Sequence, residues 1–150
     1  MSKIINKNYL WEYLSELENN VCYANATEAP YSHPYYHFDE PGIYVDITNG
    51  EALFLSLDKF NSHCGWPSFS APIDENLIEY LEDISLSVPR IEVRTKKSDI
   101  HLWHVFGDWP ADKWWRRFCI NGVTLDFISY DDLDKKWYSE YKKYFDKFFT

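Results

Sequence analysis

Cys119 stands in the run Arg117-Phe118-Cys119-Ile120-Asn121, and a second thiol, Cys64, lies upstream in His63-Cys64-Gly65-Trp66-Pro67-Ser68-Phe69. Between them are two imidazoles, in His101-Leu102-Trp103-His104-Val105-Phe106. A nucleophilic thiol, a second thiol able to attack it and two groups that exchange protons near neutral pH are the components of thiol-dependent reduction. If the last run is a strand, Arg117, Cys119 and Asn121 project to one face and Phe118 and Ile120 to the other. The guanidinium then favours the thiolate, a small fraction of an ordinary thiol with a pKa of about 8.5. The amide supplies a donor for an incoming oxygen. The other reading of Cys119 is a small buried hydrophobe.

His101 and His104 are three residues apart and point to opposite faces of a regular strand. They reach one pocket only if the chain bulges or twists near Leu102-Trp103; otherwise one is a surface and one a core histidine. Trp66, two residues past Cys64, has the face to receive the S-methyl group of a thioether-like substrate, or it is a core residue. Cys22 has no companion motif and reads as a structural thiol.

These residues need strands to hold them. Gly42 opens an apolar run, Ile43-Tyr44-Val45-Asp46-Ile47-Thr48; Asn49-Gly50 signals a two-residue hairpin, and Ala52-Leu53-Phe54-Leu55-Ser56 returns. Further strands are expected over 89–95, 100–106 and 116–128. Leu10, Leu14, Leu17 and Val21 recur at helical spacing, so an amphipathic helix is expected over 8–20. A short helix is expected over 75–83. A C-terminal helix over 131–149 is expected to open at Asp131-Asp132 and carry Leu133, Trp137, Tyr141, Tyr144 and Phe148 on one side. The pattern is a single domain spanning 1–150, mainly β, with helices at both ends.

Composition narrows the partners. Hydrophobic residues make up 45% of the chain and aromatics 19%, which excludes disorder. A net charge of −9 argues against nucleic acid or an anionic membrane. Three cysteines without a CxxC pair make neither a disulfide framework nor a four-thiolate zinc site. The N-terminus lacks the apolar run of a signal peptide and no stretch reaches membrane-span length, so a cytoplasmic location is expected.

Seven segments occur in the order seen in B-type methionine sulfoxide reductases, and over residues 26–128 the chain resembles that family. They are Thr27-Glu28-Ala29-Pro30-Tyr31, Gly42-Ile43-Tyr44-Val45, Lys59-Phe60, Cys64-Gly65-Trp66-Pro67-Ser68-Phe69, Ile91-Glu92-Val93-Arg94, His101-Leu102-x-His104-Val105-Phe106 and Arg117-Phe118-Cys119-Ile120-Asn121. The Cys64 and Cys119 blocks together are highly specific. The resemblance implies reduction of the R epimer of methionine sulfoxide on two antiparallel sheets with a barrel-like core. It makes Cys119 the nucleophile and Cys64 the recycling thiol. Trp66 and Phe106 then face the substrate, and His101, His104, Asp108, Arg117 and Asn121 form the polar shell around the sulfoxide oxygen. It further implies oxidised proteins as substrate, thioredoxin as reductant, no cofactor, and action as a monomer. A non-catalytic ligand-binding module on the same fold is the rival reading.

The chain departs from the family twice. Many members hold a structural zinc on two CxxC pairs; the matching positions are Asp46, Asn49, Thr95 and Ser98, none of them a thiol, which places the chain with the zinc-free members. Trp103, Trp109, Trp114 and Trp115 fall where the family has glycine. Either the pocket is remodelled or these codons are UGA, read as glycine in the natural host and translated here as tryptophan.

Overall fold

The computed structural model describes residues 14–83, 90–106 and 116–146. Among the described residues, nine antiparallel strands form two sheets. The first has three strands, β1 (Gly42–Asp46), β2 (Ala52–Leu55) and β9 (Leu125–Ser129), in the order β2-β1-β9. The second has six: β3 (Lys59–Phe60), β4 (Ser68–Phe69), β5 (Ile78–Asp83), β6 (Arg90–Thr95), β7 (His101–Phe106) and β8 (Arg117–Ile120), in the order β3-β4-β8-β7-β6-β5. The mainly β expectation holds, as two open sheets without barrel closure. One cluster fills the space between them, with Tyr44, Phe54, Phe69, Leu102, Phe118 and Ile120 buried and Phe54 stacked on Phe69 at 4.4 Å. A second lies behind the three-stranded sheet, where Ile43, Val45, Leu55 and Ile128 meet Leu133, Tyr138 and Phe145. All five residues of β1 are buried because both its faces are covered.

Five expectations about the elements change. The N-terminal helix, α1, runs Glu16–Ala24, later than the apolar spacing suggests. Ser15 and Glu18 form a reciprocal capping box that starts it, and Asn25 at φ 57° ends it. It buries Val21 and Cys22 and leaves Leu17 46% exposed; residues 8–13 lie outside the described part. The helix expected over 75–83 is a single 3-10 turn, Glu75–Leu77, followed by β5, which pairs with β6 from Ile78↔Thr95 to Asp83↔Arg90. Pairing with a waiting strand outweighs the local helical tendency. The strand expected over 116–128 is broken by the 3-10 turn Gly122–Thr124, which passes the chain from one sheet to the other.

Over the described residues, the expected C-terminal helix is two 3-10 segments, Tyr130–Asp132 and Ser139–Tyr144, with Trp137 at φ 69° between them. This segment acts as a cover: Leu133, Tyr138 and Phe145 are buried, and Tyr138 donates to the Gly50 carbonyl at 2.6 Å. The hairpin after β1 also differs from the two-residue form. Asp46 N–H donates to the Glu51 carbonyl at 2.8 Å, closing a loop of residues 47–50. Asp46 Oδ1 accepts from Thr48 N at 2.7 Å and Asn49 Oδ1 from Glu51 N at 2.8 Å, so local side-chain bonds set the longer turn.

The same loop ties the sheets together at the positions that correspond to zinc ligands. Ser98 Oγ donates to Asp46 Oδ2 at 2.5 Å and is hydrogen-bonded to Thr95 Oγ1, while Thr48 Oγ1 donates to Asp46 Oδ1 at 2.5 Å. Burial pushes the Asp46 carboxyl above its ordinary range, with the Ser98 and Thr48 bonds opposing. Asp46 alone of the four positions is a good zinc ligand, and both its oxygens are engaged. These residues do not fit a metal ion, and no cluster of three His, Cys, Asp or Glu able to hold one occurs among the described residues.

Candidate active site

The six-stranded sheet assembles the site through its pairing register. Ser68 on β4 pairs with Cys119 on β8, Cys119 with His104 on β7, and His104 with Glu92 on β6. Directly paired residues share a face, so hydroxyl, thiol, imidazole and carboxylate form one row. Two steps along the ladder, on the same face, Arg117 pairs with Phe106. Arg117 Nη1 donates to Cys119 Sγ at 3.1 Å, and its guanidinium carbon lies 4.2 Å from the centre of the Phe106 ring.

β7 bulges where the two-histidine spacing requires it. Val93 pairs with Trp103 but Arg94 pairs with His101, leaving Leu102 as the extra residue, and Trp103 takes φ 154°. The bulge brings both imidazoles to the same side, their centres 6.4 Å apart. Asn121, fully buried, pins it: its backbone N–H and its Nδ2 both donate to the Leu102 carbonyl, at 2.9 and 3.0 Å. Its Oδ1 accepts from Glu28 N at 3.0 Å. Both ends of the Asn121 amide are therefore engaged in holding the strand and the N-terminal loop.

The Cys64 loop closes over this row. Cys64 Sγ lies 3.0 Å from Cys119 Sγ, with both thiols free. A bond forms on approach by about 1 Å more. Ser68 Oγ is 3.3 Å from Cys64 Sγ and 3.8 Å from Cys119 Sγ. Two thiols this close ionise as a unit. The hydrogen bond with Cys119 draws Cys64 down to about 5, against the opposing effect of its burial. That bond, then burial, pushes Cys119 up, while the Arg117 charge pulls it down. The contact therefore favours loss of one proton from the pair over loss of both, with the Arg117 charge on the Cys119 side. Cys22 is fully buried and its thiol is pushed up by desolvation, in keeping with a structural role.

Trp66 is anchored by its indole N–H, which donates to the Glu28 carbonyl at 3.1 Å. Its ring is covered by Trp103, with centres 4.0 Å apart, and Trp103 also lies 4.9 Å from His104. Asp108, expected in the polar shell, lies outside the described residues, as do Trp109, Trp114 and Trp115. Within them, Glu92 stands beside the imidazole: its Oε2 is 2.6 Å from His101 Nδ1 and 2.7 Å from Arg94 Nη1. Burial lowers the His101 pKa, with Glu92 opposing. Sequence reasoning missed the parts played by Glu92, Ser68 and Glu28. Glu92 and Glu28 lie in segments that carry the family resemblance, but their contacts depend on strand register and on a loop closure spanning most of the chain.

No helix among the described residues is long and apolar enough to cross a membrane. The family model of the SelR domain matches residues 14–129, most of the chain and all of the site's elements. This match settles the family: the chain belongs to the SelR-domain, or B-type, methionine sulfoxide reductases, which act on methionine R-sulfoxide.

Proposed function

We propose that Cys119 attacks the sulfoxide sulfur of methionine R-sulfoxide in oxidised proteins and that Cys64 recycles it. The observation that carries this reading is the 3.0 Å contact between the two sulfurs, with Arg117 on Cys119. The Cys64 thiolate takes the Cys119 proton across that contact as substrate arrives, and Arg117 stabilises the anion left on Cys119. Cys119 Sγ bonds to the sulfoxide sulfur while an imidazolium protonates the oxygen, since an unprotonated sulfoxide is a poor electrophile. Oxygen passes to Cys119 as a sulfenic acid and methionine leaves. Cys64 then bonds to Cys119 Sγ; the displaced hydroxide and the Cys64 proton depart as water. The resulting disulfide needs an external dithiol, for which thioredoxin is the natural class. Asn121 and Glu28 act as positioning residues, and Asp108 is assigned to the polar shell with His101 and His104. The protein is taken to act as a cytoplasmic monomer.

Glu92 gives this scheme a pH signature. Held by Arg94, its carboxylate accepts from His101 Nδ1–H and directs Nε2 away from itself, which sets the tautomer. His101 donates a proton only below its own pKa, which burial holds beneath the ordinary histidine value. The carboxylate favours the imidazolium, so Glu92→Gln lowers that pKa further. The alkaline limb of the rate profile is expected to move to lower pH, with activity at pH 7 falling about 10-fold or more. An unchanged limb would remove His101 and Glu92 from the proton-donor role.

The reading also assigns no metal. Metal analysis of the purified protein is expected to find no stoichiometric zinc; one tightly held equivalent would contradict the account of Asp46, Thr95 and Ser98. One observation favours a second reading, a binding module with a closed or altered pocket: Trp103 covers the face of Trp66 that a substrate methyl group would use. Single-turnover oxidation of Cys119 and Cys64 by the R epimer separates the two.

A further inference from the structure

Trp103 and Trp137 both occupy backbone positions suited to glycine. Trp137 lies at φ 69° and is 70% exposed. Tyr138 N–H donates to the Leu133 carbonyl at 2.8 Å and Trp137 N–H to the Asp134 carbonyl at 3.4 Å. This pair of bonds is the Schellman pattern, and residue 137 is its left-handed position, where glycine is the usual occupant because any Cβ is penalised. Trp103, at φ 154° in the β7 bulge, has the same need. Two of the three described tryptophans therefore sit at positive φ, and the third, Trp66, does not. The other side chains at positive φ have accommodations of their own. Asn25 and Asp99 are types that tolerate it. Tyr31 is tied to the loop of His63, its Oη donating to the His63 carbonyl at 3.1 Å and its N–H to the Gly65 carbonyl at 2.6 Å, and His63 N–H donates to Asn61 Oδ1 at 3.0 Å within its own loop. Composition points the same way: a chain of this length ordinarily holds about ten glycines, and this one has five, with seven tryptophans.

We infer that residues 103 and 137 are glycine in the protein as its host makes it, encoded by UGA codons that the host reads as glycine. Position 137 lies beyond the family match and is assigned on its backbone alone. At position 103 the consequence rests on the reductase reading: Trp103 is a plug, and glycine there uncovers Trp66 and the side of His104 that faces it.

Three measurements test the inference. The gene should carry UGG at residue 66 and UGA at 103 and 137, and the corresponding peptides from host cells should have the masses of glycine forms. UGG at 103 or 137 overturns it. In the chain as written, Trp137→Gly should raise Tm by about 2–8 °C, whereas Trp137→Ala, which removes the ring but keeps a Cβ at positive φ, should not. An equal rise for both, or none for glycine, overturns the backbone argument. Trp103→Gly should raise turnover of the R epimer at least 10-fold above Trp103. If Trp137→Gly stabilises and the codons are UGA but the chain with glycine at 103, 109, 114 and 115 does not reduce sulfoxide either, the reductase reading fails and the glycine assignment stands.

Discussion

Cys119→Ser is expected to abolish reduction of methionine R-sulfoxide, with a loss of at least about 10³-fold whichever residue stands at 103, because removal of a nucleophile leaves only binding and polarisation. The fold should survive, since serine is close to cysteine in size and the Phe118 and Ile120 side chains on either side of it supply the packing of β8. The measurement is methionine released from a peptide carrying the resolved R epimer, beside a thermal melt. Retained turnover would move the nucleophile to Cys64, whose thiol the contact draws down, and would reverse the assigned order of the two thiols.

Cys64→Ser is expected to split the reaction in two. Cys119 should still complete one turnover and stop as a sulfenic acid, trapped by a dimedone-type reagent. Thioredoxin-driven turnover should fall by roughly two orders of magnitude or more, because an external thiol lacks the effective concentration of a sulfur held in contact. The hydrogen bond between Cys119 and Cys64 is the first cause of the raised Cys119 pKa. Its removal leaves Arg117 beside the thiol, so the pH at which Cys119 becomes alkylatable should move down. Full thioredoxin turnover in this variant would mean that another thiol does the recycling.

The chemistry of the site was more readable in the sequence than its geometry. Alternation along residues 117–121 and the three-residue spacing of His101 and His104 led to a bulge near Leu102-Trp103, and the register shift lies there. Local signals failed where distant partners decide the outcome. Ile78–Asp83 is a strand because β6 pairs with it, and the C-terminal segment bends at Trp137 to place Leu133, Tyr138 and Phe145 over the outer sheet. Asn121 shows the same limit. Its position two residues from Cys119 suggested an amide facing the substrate, and in the structure that amide holds Leu102 and Glu28. Its partners are 19 and 93 residues away, out of reach of any local pattern.

The most direct test of the central claim is a single-turnover experiment without reductant, on the chain with glycine at 103, 109, 114 and 115, using resolved R and S epimers of a peptide methionine sulfoxide. The account predicts one methionine per chain from the R epimer, none from the S epimer, and a Cys64–Cys119 disulfide recovered by peptide mapping. Equal yields from both epimers, or methionine released with both thiols still reduced, would contradict it.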